Sequence, residues 1–313
     1  MSERPTKSLA DRLPGGIISV VQTPFDETGK VDNGSLARLV EHAIDSGVDG
    51  FLAPVVASET AWLSEQERVD VVKEIARVND GRVSFVVGAS STEIDTCRAF
   101  GQLAEEVGAD GWLVAVPAEL YRQPGRVVPF FRSVAEGIEL PLVVQDLEFN
   151  GPGLPTEAIE RLADAVPTLA GLKVETAPAG PKYTAVRQLF GDRISIAGGW
   201  AVPQMIEALD RGVDAMIPES SMIPVYHAID RAHRSGDRAR ALELFRRLVP
   251  VLAFTNQELV TSIAFFKRLL LRKGIIGSER LRAPGFAWDQ YNTRIAEELI
   301  EGYLALEAEV RGE

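Results

Sequence analysis

Short apolar runs recur along the chain, and each is followed by a longer stretch whose apolar positions repeat at the three- and four-residue spacing of a helix. The runs are GIISVVQ near residue 16, GFLAPVV at 50, VSFVVGAS at 83, GWLVAVP at 111, LPLVVQD at 140, LAGLKV at 169, ISIAGG at 194 and DAMIPE at 214. The intervening periodicity predicts helices over 34–46, 64–78, 93–107, 125–137, 155–165, 181–190, 202–211 and 222–234. Runs that are apolar on both faces and alternate with helices belong to a parallel sheet covered by helices. Eight such units in succession predict an α/β protein built as a closed (β/α)₈ TIM barrel rather than an open doubly wound sheet. No Gly-x-Gly-x-x-Gly follows the first run, so the dinucleotide-binding alternative lacks its fingerprint.

From about residue 237 the strand signals stop. The segments ARALELFRRLVPVLAF, QELVTSIAFFKRLLLRKG and AWDQYNTRIAEELIEGYLALEAEV predict about three further helices, with Gly274 and GSERLRAPG as breakers. The expected organisation is a barrel over 1–236 that carries the active site, with a C-terminal helical extension over 237–313 packed on it.

A length of 313 residues suits one barrel plus such an extension. The net charge of −12 disfavours nucleic acid and anionic membranes as partners. Cys97 is the sole cysteine, which rules out an intrachain disulfide and fits a reducing, cytoplasmic setting. The opening MSERPTKSLADRLPGG has no apolar core of signal-peptide length, and no stretch approaches the roughly 18 apolar residues of a membrane span.

Barrel enzymes place their chemistry at the C-terminal ends of the strands. Lys173, closing the apolar LAGLKV run, is in that position. A lysine desolvated at the mouth of a barrel can attack a carbonyl and form a Schiff base. Pairing with Glu175 or another carboxylate explains the same residue as an ordinary ion pair. Gly198 and Gly199 read as a tight strand-to-helix turn or as half of a phosphate site, but MIPESSMIP supplies no second glycine-rich loop after strand eight. Trp200 follows at the same mouth. His42, His227 and His233 all fall in predicted helices, and no ligand cluster calls for a metal.

The opening GIISVVQTPFDETGKVD, the in-phase LAGLKV, the order of elements and the helical tail resemble the dihydrodipicolinate synthase and N-acetylneuraminate lyase family of class I aldolases, from about residue 15 to the last helix. The resemblance implies that Lys173 forms an imine with pyruvate or another 2-oxo acid, with an aldehyde as possible second substrate. It implies no metal or other cofactor, and a homo-oligomer, either tetramer or dimer. It also places a carboxylate-holding loop at Val56, Ala57, Ser58 and Glu59. The family's Gly-Thr-Thr-Gly-Glu is here Val55, Val56, Ala57, Ser58 and Glu59, so both threonine hydroxyls are gone and Ser58 or Thr60 is left to replace them.

Other departures bear on the reaction. The family's strand-five tyrosine falls on Gln145, which cannot act as an acid or base near neutral pH. Proton transfer then falls to Asp146, Glu148, Glu175 or water. The arginine that grips an aldehyde's carboxylate falls on Asn150, and the interface tyrosine falls on Glu119, with Tyr121 two residues on. The Gly198 carbonyl is expected near the imine, and Ile217 in the pocket wall. The expected function is a Schiff-base lyase or aldolase on a 2-oxo acid, with Lys173 and Gln145 as catalytic residues and outside lysine biosynthesis. The alternatives are a member that binds a 2-oxo acid without turnover and 4-hydroxy-tetrahydrodipicolinate synthase proper.

Overall fold

Eight parallel strands pair in chain order, and the last returns to the first, closing the sheet. The computed structural model describes residues 8–200 and 202–312. The first seven residues, part of the stretch in which no signal segment is read, lie outside the described residues. The strands are β1 (Gly16–Val20), β2 (Gly50–Ala53), β3 (Ser84–Gly88), β4 (Gly111–Ala115), β5 (Leu142–Leu147), β6 (Leu169–Glu175), β7 (Ser195–Gly198) and β8 (Ala215–Met216). The helices that follow them in turn are α1 (Asn33–Asp45), α2 (Glu65–Asn79), α3 (Ile94–Glu106), α4 (Val127–Ala135), α5 (Thr156–Ala165), α6 (Ala179–Phe190), α7 (Met205–Asp210) and α8 (Ile223–Arg234). Three more complete the chain: α9 (Arg238–Thr255), α10 (Leu259–Arg272) and α11 (Gln290–Arg311).

Local chemistry fixes many of these boundaries. Asp32 accepts from the Ser35 amide at the start of α1, and Ser64 and Glu67 form a reciprocal capping box on α2. Several predicted elements come out shorter, two of them for a definite backbone reason. The expected strand at 214–219 is only two residues long, because Pro218 has no N–H to give the ladder; pairing resumes as a lone bridge between Val20 and Glu219. The helix expected from 202 begins at Met205, since Val202 has φ +53° and cannot belong to a right-handed helix. In contrast, α6 begins two residues early and carries Pro181 in its first turn, where the missing N–H costs nothing.

Both faces of the strands are buried. Ile18, Val20, Leu52, Val86, Leu113, Val143, Ala197, Ala215 and Ile217 fill the barrel interior. Ile17, Phe51, Val87, Trp112, Val144, Leu172 and Ile196 face the helices. This two-sided burial is what the unbroken apolar runs encode. No helix among the described residues is long and apolar enough to cross a membrane.

Candidate active site

Alternation along β6 turns Lys173 to the same side of the sheet as its inward-facing neighbours. Its register partners are Gln145 on β5 and Ala197 on β7. The ammonium is almost fully enclosed, with 4% of the side chain exposed. It borders an inner cavity of about 60 Å³ walled by Val20, Val55, Val56, Ala57, Gln145 and Ile217, among others.

Glu175, two residues on, shares that face and organises the site. Its Oε1 lies 2.6 Å from Lys173 Nζ and accepts from the Trp200 backbone N–H at 2.6 Å. Its Oε2 accepts from Gln145 Nε2. The side chain is 5% exposed, so this is a carboxylate held in place by three donors inside the protein. Glycine at 199 makes room for it: a Cβ there would sit 2.2 Å from Glu175 Oε1. Trp200 itself has φ +56°, which aims its N–H at the carboxylate while its ring borders the cavity. Gln145 Oε1 is buried without a partner, leaving one acceptor free beside the lysine.

The remaining predicted residues divide by where their side chains go. Val56, Ala57 and Ile217 line the inner cavity. The side chains of Ser58 and Glu59 turn away from it. Ser58 Oγ donates to the Val21 carbonyl at 2.6 Å and accepts from the Val55 N–H at 3.1 Å. Glu59, with φ +62°, turns into the protein, where it pairs with buried Lys267 and accepts from the Arg282 N–H at 2.9 Å. Burial holds Lys267 down to about 8, with Glu59 opposing the shift. The Gly198 carbonyl accepts from the Ile217 N–H at 2.8 Å in the ladder, which leaves it a second lone pair. A Cβ at Gly198 would meet Tyr183 Oη at 2.8 Å on the outer side of the sheet.

The other proton carriers considered lie elsewhere. Asp146 points to the helix layer, where it pairs with Lys182 at 2.7 Å and accepts from Leu154 N–H at 3.0 Å. Burial raises its pKa, against the pull of Lys182. Glu148 accepts from Gly153 N–H at 2.8 Å and faces a second, outer cleft of about 650 Å³. Asn150 lines that cleft too, whereas Glu119 is exposed on a surface turn. The strand period already put Lys173 and Glu175 on one face; what sequence could not give was the turn at 199–200 that locks the carboxylate there.

Leu147, Phe149, Glu175, Trp200, Asn256 and Leu259 border both the inner cavity and the outer cleft. The rings of Phe149 and Trp200 meet edge to face with centroids 4.7 Å apart, forming the partition between the two spaces. Glu219, also at the inner cavity, is fully buried and accepts from the N–H groups of Ser221 and Met222 at the start of α8; burial raises its pKa. Among the described residues no cluster of three or more His, Cys, Asp or Glu side chains is arranged to hold a metal ion.

Comparison with known proteins gives concordant matches. The model of the dihydrodipicolinate synthetase family matches residues 13–301. The L-2-keto-3-deoxyarabonate dehydratase of Azospirillum brasilense is 29% identical over 276 residues, 86% of this chain and 88% of that protein. The 4-hydroxy-tetrahydrodipicolinate synthase of Neisseria gonorrhoeae is 28% identical over 249 residues, 76% of this chain and 82% of that one. Among solved structures, dihydrodipicolinate synthase from Rhodopseudomonas palustris superposes with a TM-score of 0.85 at 22% identity, covering 93% of this chain and 98% of that one.

Proposed function

Because the chain belongs to the dihydrodipicolinate synthetase family and is thus a lyase of the class I aldolase type, we propose that it dehydrates a 2-keto-3-deoxy sugar acid through a Schiff base on Lys173. The observation that carries this reading is the carboxylate of Glu175, 2.6 Å from the lysine nitrogen and bonded to the glutamine that replaces the family's tyrosine.

One carboxylate in that position serves each proton transfer. Glu175 takes a proton from Lys173, freeing the amine to attack the substrate's C2 carbonyl. It returns that proton to the carbinolamine hydroxyl, which leaves as water and yields the imine. The cationic imine acidifies C3, and Glu175 removes a C3 proton to give the enamine. The enamine electrons then expel the C4 hydroxyl, which leaves as water with the proton from Glu175. Hydrolysis of the conjugated imine consumes one water and frees the lysine, so the net loss is one water. Gln145 fixes the carboxylate through its Nε2. The resemblance-based loop contributes here through Val56 and Ala57 at the cavity, and Ile217 closes the wall.

Two features argue against a synthase that condenses pyruvate with an acidic aldehyde: Asn150 stands where the gripping arginine is expected, and no tyrosine is present at 145. The similarity to the Azospirillum dehydratase, over most of both chains, supports the dehydratase reading. The test is product analysis by NMR after incubation with a 2-keto-3-deoxypentonate. The expected result is a dehydrated product with all carbons retained. Pyruvate plus a two-carbon aldehyde would instead make the protein an aldolase. No turnover, together with no imine, would favour the reading in which catalysis has been lost.

A further inference from the structure

The inner cavity beside Lys173, about 60 Å³, is far smaller than the outer cleft and takes the reacting head of a 2-oxo acid. A longer substrate must extend past the Phe149–Trp200 partition into the outer cleft of about 650 Å³.

The lining of that cleft is polar in one particular way. Asn150, Gln204, Asn256 and Gln257 present amides. Thr176 borders the cleft, with its hydroxyl buried beneath the surface. The charged groups are all carboxylates: Glu175 at the inner end, Glu148 on the side and Glu258 at the rim, where it accepts from Thr261 Oγ1 at 3.2 Å. Among the described lining residues there is no lysine, arginine or histidine.

We propose that this cleft is the subsite for the far end of the substrate, and that its acidic wall selects a neutral, hydroxyl-bearing tail against one ending in a carboxylate. The inference rests on the Schiff-base reading of Lys173 and adds the specificity that reading leaves open. A tail hydroxyl finds side-chain amides to exchange hydrogen bonds with. A tail carboxylate faces Glu148 and Glu258 with no cation to offset the repulsion, which is discrimination by disfavouring the wrong ligand.

Borohydride trapping of the imine measures binding independently of dehydration. The probes are pyruvate, a 2-keto-3-deoxy acid ending in CH₂OH, and one of equal length ending in a carboxylate. The expected half-saturating concentration for the carboxylate-tailed acid exceeds that for the neutral one by about tenfold or more. The ratio should narrow severalfold in the Glu148→Gln, Glu258→Gln double variant. It should also narrow in the unmodified protein when salt is raised to about 0.5 M, because charges this close to solvent are screened. Equal trapping of the two tailed acids, or a preference unmoved by both salt and substitution, overturns the inference while leaving the imine intact. Failure to trap even pyruvate overturns the Schiff-base reading and takes the inference with it.

Discussion

Lys173 and Glu175 stand two residues apart on one strand, so the pleat alone puts amine and carboxylate side by side. That adjacency was readable in LAGLKVE. What was not readable is which partners would hold the carboxylate, because the Trp200 N–H comes from another strand end and Gln145 from a neighbouring strand. The same limit explains Glu59: its position in the motif pointed to the substrate, but its backbone is left-handed and its partner, Lys267, is remote in sequence on α10. If Glu175 carries the protons, Glu175→Gln keeps the hydrogen-bonding shape and loses the base. Dehydration should then fall by roughly 10²- to 10⁴-fold in kcat. Borohydride trapping of pyruvate on Lys173 should slow as well, since Glu175 also serves imine formation, but should still reach one adduct per chain on long incubation. A variant that dehydrates normally would remove Glu175 from the mechanism.

At the scale of elements, every predicted strand and helix is present, and the errors cluster where proline or left-handed backbone interrupts a pattern. Apolar periodicity fixes the body of an element, while its ends depend on caps and φ values that hydropathy does not carry. The loop after β2 shows what such an end can do. Glu59 there is tied to Lys267 on α10 and to the Arg282 amide beyond it, clamping the loop that walls the inner cavity to the C-terminal helices. Removing one member of a buried ion pair leaves the other unpaired, at a typical cost of about 3–5 kcal/mol. Lys267→Met should lower unfolding stability by about that much, as read by urea denaturation. The Glu59→Gln, Lys267→Met double variant should lose less than the sum of the two single losses. Additive losses would mean that the pair is not coupled. A second element-level test concerns the turn at 199–200: Gly199→Ala places a methyl group against Glu175 Oε1. It should reduce kcat more than it lowers thermal stability, and the reverse order would give Gly199 a purely structural role.

For the molecule as a whole, the count and regular spacing of eight βα units, without a dinucleotide fingerprint after the first strand, made the closed barrel legible. The way the terminal helices meet the barrel was not legible, because it depends on long-range polar contacts. Lys273 donates to Glu307 at 2.8 Å and to the Ser221 carbonyl at 2.9 Å, and Arg311 reaches Ser46 at 3.1 Å, so α1, α8, α10 and α11 converge on one buried polar cluster. His42 on α1 sits within it. Burial, reinforced by Lys273 and Arg311 and opposed by Glu307, lowers its pKa from 6.5 to about 4. Between those two values the unfolded chain binds a proton that the native chain does not. Stability therefore falls as pH drops from about 6.5 to about 4, and the contribution of His42 is constant above that window. Denaturation midpoints should be lower at pH of about 5 than at about 7.5, and His42→Asn should remove part of that difference. A difference unchanged by the substitution would place the titrating group elsewhere.

The central claim is a covalent bond between Lys173 and the carbonyl carbon of a 2-oxo acid, and intact-mass spectrometry after incubation with pyruvate and borohydride tests it most directly. The account predicts one reduced adduct per chain, mapped by peptide analysis to Lys173 and absent from Lys173→Ala. An unchanged mass with pyruvate and with larger 2-oxo acids, or an adduct that survives in Lys173→Ala, would contradict it.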